Sequence, residues 1–200
     1  ETKNTDIEFT TEVRGWTMQR DAEFKNGIAK GMEKCLDLNG YTLDLKGDFV
    51  TGEGKIKIDG GSLKVTGDYR IQNVAADGTY GQCSGYIRME NEEDYVSVGG
   101  DFVTESDAGY NGSSYGSDNA LTAGTMELKG NFQQKRVQVG SYNYDASNFN
   151  ATGTHKVIFL GEETQTVSFE SPSYSGFNDV ETQNTDIKFT TEVRGWTMQR

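Results

Sequence analysis

Apolar and polar residues alternate along this chain around a recurring glycine. "LDLKGDF" (43–49), "LKVTGDY" (63–69), "VSVGGDF" (96–102), "MELKGNF" (126–132) and "VIFLGEE" (157–163) fall into register on Gly47, Gly67, Gly100, Gly130 and Gly161, at spacings of 20, 33, 30 and 31 residues. Four residues before each glycine stand Leu43, Leu63, Val96, Met126 and Val157; two before it stand Leu45, Val65, Val98, Leu128 and Phe159. The positions between are polar (Asp44, Lys64, Ser97, Glu127), with Ile158 the exception. Period-two alternation marks a strand with one buried face. Two residues after the glycine come Phe49, Tyr69, Phe102 and Phe132; the fifth unit breaks the pattern with Glu163.

Shorter strand-like runs flank each glycine unit: "CLDLNG" (35–40), "GKIKIDG" (54–60) and "GYIRMEN" (85–91) before it, and "DFVTG", "DYRIQN" and "DFVTES" after it. Each unit therefore reads as strand, turn, strand, glycine corner, strand. Such units bury their apolar faces either as an antiparallel β-sandwich of hairpins or as a parallel β-solenoid (β-helix) of six to seven coils with loop insertions. The solenoid is the expected fold. A coil stacks the near-identical corners in register, about 4.8 Å apart, whereas hairpins would send them to alternating ends. Stacking would gather Phe49, Tyr69, Phe102 and Phe132 into one internal ladder, and a sharp corner would use glycine for its freedom at positive φ. The sandwich stays open, because many short strands with regular turn signals fit it as well.

The longer units carry insertions, "AADGTYGQCS" (75–84), "DAGYNGSSYGSDN" (107–119) and "VGSYNYDASN" (139–148), rich in Gly, Ser, Asn, Asp and Tyr and without a core pattern. All three follow the "DFxxx" type of strand, so they are expected to protrude from one side. The first thirty-odd residues hold further strands that are harder to phase; in "NGIAKGMEK" two glycines argue against a helix.

A longer repeat encloses the shorter one. Residues 181–200 repeat residues 1–20 with two differences, Lys3 against Gln183 and Glu8 against Lys188. Residues 1–180 thus read as one complete repeat and 181–200 as the first strands of the next copy. With six or seven coils per period the axial advance would be about 30 Å. Trp16 and Trp196 are one repeat position seen twice, expected to pack on an adjacent coil or at the copy-to-copy junction; a sugar platform is the alternative use of such a ring.

The composition narrows the partners. The formal net charge is −12, which repels nucleic acid and anionic membrane, and no apolar run has the length of a membrane span. No signal peptide is legible. Twenty-five glycines against a single proline, Pro172, suit tight turns between paired strands and exclude collagen and proline-rich linkers. Cys35 and Cys83 are too few for a disulfide framework and read as free thiols, with a bridge between them the alternative. No metal-ligand spacing, cofactor motif or phosphate loop is present.

Candidate chemistry comes down to three features. The residues after the corner glycines, Asp48, Asp68, Asp101, Asn131 and Glu162, would stack; they could hold a cation or an acid, but a hydrogen-bonding role at the corner fits Asn131 as well as its acidic neighbours. His155, alone in the sequence, is expected on the surface of a strand. Tyr110, Tyr115, Tyr142 and Tyr144 lie in polar loops where no core needs them, as does Tyr80. A ring with an apolar face and a polar tip suits glycan or host-protein contact; the alternative is that these tyrosines fold back to cover the solenoid face.

"GWTMQRDAEF…CLDLNGYTLDLKGDF", "GGSLKVTGDYRIQ", "GYIRMENEEDYVSVGGDFVTES", "LTAGTMELKGNFQQ", "NFNATGTHKVIFLGEETQTVSFESP" and "FNDVETQNT", in this order, resemble the long tandem repeats of large surface or secreted proteins of clostridia and related Gram-positive bacteria. That resemblance spans nearly the whole chain. It implies extracellular display and repetition, and no enzyme. The function expected is a non-catalytic surface fibre or stalk whose copies meet head-to-tail; the alternative is an adhesin-like module that binds through its Tyr-rich loops.

Overall fold

A strand with one apolar face needs that face covered and both edges paired. The computed structural model of the protein meets these needs mainly by parallel pairing. It describes residues 6–109, 121–139, 141–193 and 197–199. The fold is all-β, and among the described residues the one helical element is a 3-10 turn, Asp107–Gly109.

Three sheets run through the molecule. The longest has eight strands in chain order: Ala22–Phe24, Thr42–Leu45, Ser62–Val65, Tyr95–Val98, Thr125–Leu128, Lys156–Phe159, Asp179–Thr182 and Thr197–Gln199. A second sheet stacks Cys35–Asp37, Lys55–Lys57 and Tyr86–Arg88, and single parallel bridges carry it onward from Met89 to Leu121 to Ala151. A third stacks Phe49–Val50, Tyr69–Ile71, Phe102–Thr104, Phe132–Gln134, Gln165–Phe169 and Ile187–Phe189. An antiparallel sandwich would need the opposite strand direction. Among the described residues, antiparallel pairing is confined to two hairpins, Asn73–Val74 with Tyr80–Gly81 and Val137–Val139 with Tyr142–Tyr144.

The register follows the alternation. Leu43, Leu63, Val96, Met126, Val157 and Val180 lie opposite one another in turn, and Leu45, Val65, Val98, Leu128 and Phe159 form a second row. All eleven are buried. Ala22 and Phe24 begin the two rows. This first unit is hard to phase from sequence because "KNG" stands where the next unit has "KGD". Ile28, after that glycine, bridges Phe49 and so heads the third sheet's inner row. The "NGIAKGMEK" segment is not helical; Met32 bridges both Val13 and Gly52.

The corner glycines carry a correction. None of Gly47, Gly67, Gly100, Gly130 and Gly161 has a positive φ. Positive φ falls at other positions, among them Gly27 in the first unit and the two-residue turns Asn39-Gly40 and Asp59-Gly60, with φ of 50° and 80°, and 51° and 77°. There the Tyr41 and Gly61 N–H groups donate to the Leu38 and Ile58 carbonyls at 2.9 Å, as type I′ turns require. What the corners need is closeness. A Cβ on Gly67 would stand 2.1 Å from Asp48 Oδ1, and one on Gly130 would stand 2.3 Å from the Gly100 carbonyl oxygen. Stacked backbones there leave no room for a side chain.

Candidate functional site

Two sets of residues converge in space: the column after the corner glycines and the side from which the hairpins project. The column is a chain of hydrogen bonds running from one unit to the next. Asp48 Oδ1 accepts the Asp68 N–H at 2.8 Å, and Asp68 Oδ1 accepts the Asp101 N–H at 2.9 Å. Asp101 Oδ1 accepts both the Asn131 N–H, at 2.8 Å, and its Nδ2, at 3.0 Å. Asn131 Oδ1 in turn accepts the N–H and hydroxyl of Thr166, each at 2.8 Å. Each side chain thus satisfies the amide of the next unit at a corner where ladder pairing lapses. The last member is Thr166, not Glu162. The chain detours through exposed Glu162 and Glu163 before rejoining the sheet, and the Gln165 amide fills the detour, accepting from Gly161 N–H and donating to the Leu128 and Gly130 carbonyls. A carboxylate whose oxygen is engaged with backbone amides at every level serves the corner. Among the described residues no group of three or more His, Cys, Asp or Glu side chains is placed to hold a metal ion.

Behind this column, Phe49, Tyr69, Phe102 and Phe132 lie opposite one another in register. Ring centroids are 5.0, 5.3 and 5.5 Å apart; the first and last pairs are stacked and the middle pair is edge-on. The ring column then broadens into a cluster that the glycine alignment does not reveal. Phe132 meets Phe149, Phe169 and Phe177 at 4.8 to 5.0 Å. Their spacing in sequence is irregular, so no repeat signals them.

His155 also departs from expectation. It is fully buried, edge-on to Phe149 at 6.0 Å, and neither ring nitrogen has a hydrogen-bond partner. Burial depresses its pKa from 6.5 to about 4. It closes the 152–155 turn, its own N–H donating to the Thr152 carbonyl, and its ring lies inward rather than on the strand surface.

The hairpin side holds the tyrosines. Tyr110 and Tyr115 lie outside the described residues, as does Trp196. Tyr142 is 70% exposed, while Tyr144, 6.4 Å away on the same strand, is half-buried. Tyr80 is 40% exposed, but Arg70 lies over its ring at 4.5 Å and donates to Asp68 at 2.6 Å, which ties the first hairpin to the corner column. The hairpins touch: the Gln138 N–H donates to Gln82 Oε1 at 2.6 Å. Their bases are not free of core contacts as the loop composition suggests. Val137, Ala146 and Asn148 are buried, and Asn148 accepts from Gln134 Nε2 at 2.9 Å and donates to the Ser106 carbonyl at 3.0 Å. Clefts of about 550 and 640 Å³ open beside the two hairpins, one reaching Glu12 and Tyr80, the other Asn143 and Glu192.

Trp16 is half-buried against the core, and its carbonyl accepts the Asp37 N–H at 2.9 Å. Cys35 is exposed, Cys83 is buried, and both are free thiols. No helix among the described residues is long and apolar enough to cross a membrane. No family model, curated protein or solved structure matches this chain.

Proposed function

We propose that this chain is a β-solenoid segment of a structural, non-catalytic tandem-repeat fibre or stalk, displayed outside the cell. One observation carries the reading. Residues of the second copy, Ile187–Phe189 and Thr197–Gln199, extend the third and longest sheets in parallel register, next to Gln165–Phe169 of the first copy and to Asp179–Thr182 at the join of the two. A repeat whose next copy adds to its own sheets lengthens a rod without changing its section. The resemblance to surface repeats of Gram-positive bacteria supports the extracellular setting. The test is solution scattering on a protein with two repeats, 1–180 followed by 1–200. Its longest dimension should exceed that of the 200-residue chain by about 30 Å at constant cross-section; two globules on a string would overturn the reading.

A second role, glycan or protein binding, is favoured by Tyr142, the most open large aromatic side chain of the described residues, on a hairpin anchored at its base by buried Asn148. A rod would present this hairpin once per repeat and gain avidity. Glycan-array binding that is lost in Tyr142→Ala tests it, and binding that persists unchanged removes it.

A further inference from the structure

The two copies of the repeated segment use opposite edges. Consecutive residues of a strand turn their N–H and C=O groups to opposite sides. In the second copy, the Asp186 carbonyl accepts from Gln165 N–H and the Thr190 N–H donates to the Val167 carbonyl, each at 2.9 Å, so the segment is bonded to the unit before it. In the first copy the bonds run to the unit after it. The Ile7 carbonyl accepts from Asn26 Nδ2 at 3.3 Å, the Val13 N–H donates to the Gly31 carbonyl at 3.0 Å, and the Met18 N–H donates to the Asp37 carbonyl at 2.8 Å. Phe9 packs edge-on to Phe24 at 5.1 Å. Among the described residues, the backbone bonds of the first copy run to the unit after it and those of the second copy to the unit before it.

From this we infer that the partner of these edges is a second copy of the chain, joined by segment exchange: residues 181–200 of one molecule take the place of residues 1–20 in the next. The inference rests on reading the two copies as successive units of one stack. The bonds made within the chain by residues 6–20 are available to their repeats between chains, because the two segments differ only at positions 3 and 8. The exchanged segment is then paired on both edges, which removes two open strand edges from solvent. The displaced residues 6–20 regain the conformational freedom that ordering had cost them, which offsets the entropy of association. Lys188 in place of Glu8 further favours the exchange in a chain of net charge −12.

Cross-linking of the 200-residue chain tests this. Asn26 Nδ2 lies 3.3 Å from Asp6 Oδ1, and both residues are exposed. In a Cys35→Ser background, the D6C/N26C double variant should close a disulfide within one chain. If exchange occurs, N26C and D186C chains mixed under mild oxidation, with enough urea to loosen the ends, should form a mixed disulfide dimer. Excess peptide of residues 1–20 should abolish it, and N26C mixed with Y142C should give none. An intrachain bond without the mixed dimer overturns exchange and leaves the stacked reading standing. Failure of the intrachain bond overturns both. A mixed dimer indifferent to the peptide overturns the assigned interface.

Discussion

Phe102 and Phe132 sit opposite each other on adjacent parallel strands, their ring centroids 5.5 Å apart and their planes 13° from parallel. Thirty residues of chain, with the insertion at 107–119 among them, separate these rings, yet the glycine-anchored register brings them to the same place in successive units. Both are fully buried. Phe102→Ala should cost about 3–5 kcal/mol in urea unfolding, since the rings above and below cannot collapse into the space. Tyr142→Ala, on the open hairpin, should change stability by less than about 0.5 kcal/mol.

The corner requirement predicts a coupling. Gly67→Ala should destabilise by about 1–3 kcal/mol through overpacking against Asp48, and Asp48→Ala by about 1–3 kcal/mol through the orphaned Asp68 N–H. The double variant should lose less than the sum, because the Oδ1 that a Cβ at position 67 would strike is then absent. A double-mutant cycle by chemical denaturation measures this; strict additivity would mean that the two groups do not meet.

His155 gives the stack a pH dependence of definite sign. Its folded-state pKa is depressed from 6.5 to about 4 by burial. Between these values the unfolded chain binds the proton and the folded chain does not, so stability is full above pH 6.5 and falls as the pH drops through about 4. The loss amounts to about 3 kcal/mol. Thermal melts across this range should show that His155→Phe flattens the curve between pH 6.5 and 4.5; an unaltered slope would place the imidazole elsewhere.

The thiols should be distinguishable. Burial pushes Cys83 up to about 12; Cys35, on an exposed strand position, is raised first by its partial burial and then by Asp37 beside it. A chromogenic disulfide reagent at pH 8 should titrate one thiol per native chain and the second only after denaturation. Mass mapping should locate the first at Cys35; two fast thiols would contradict the burial of Cys83.

Some of this architecture is legible without coordinates, because period-two alternation and register are local properties. The rows headed by Leu43 and Leu45 can be read directly, since each residue is its own evidence. Ala22 and Phe24 escape because "KNG" at 25–27 does the work of "KGD", and a change of corner hides a conserved geometry from an alignment built on glycine. Phe149, Phe169 and Phe177 escape for another reason: they fill one volume from places in the chain that share no period.

The sequence by itself determined that strands alternate, that units recur on a glycine and that the chain returns to its opening segment after 180 residues. Tertiary structure decided why those glycines are there, since the 2.1 Å at which a Cβ on Gly67 would meet Asp48 Oδ1 is a property of two units together and of neither alone. It also decided that His155 lies inside and that the repeated segment bonds through one edge at the beginning and the other at the end. Burial and edge pairing depend on what lies above and below a strand, and one strand's sequence does not contain its neighbours.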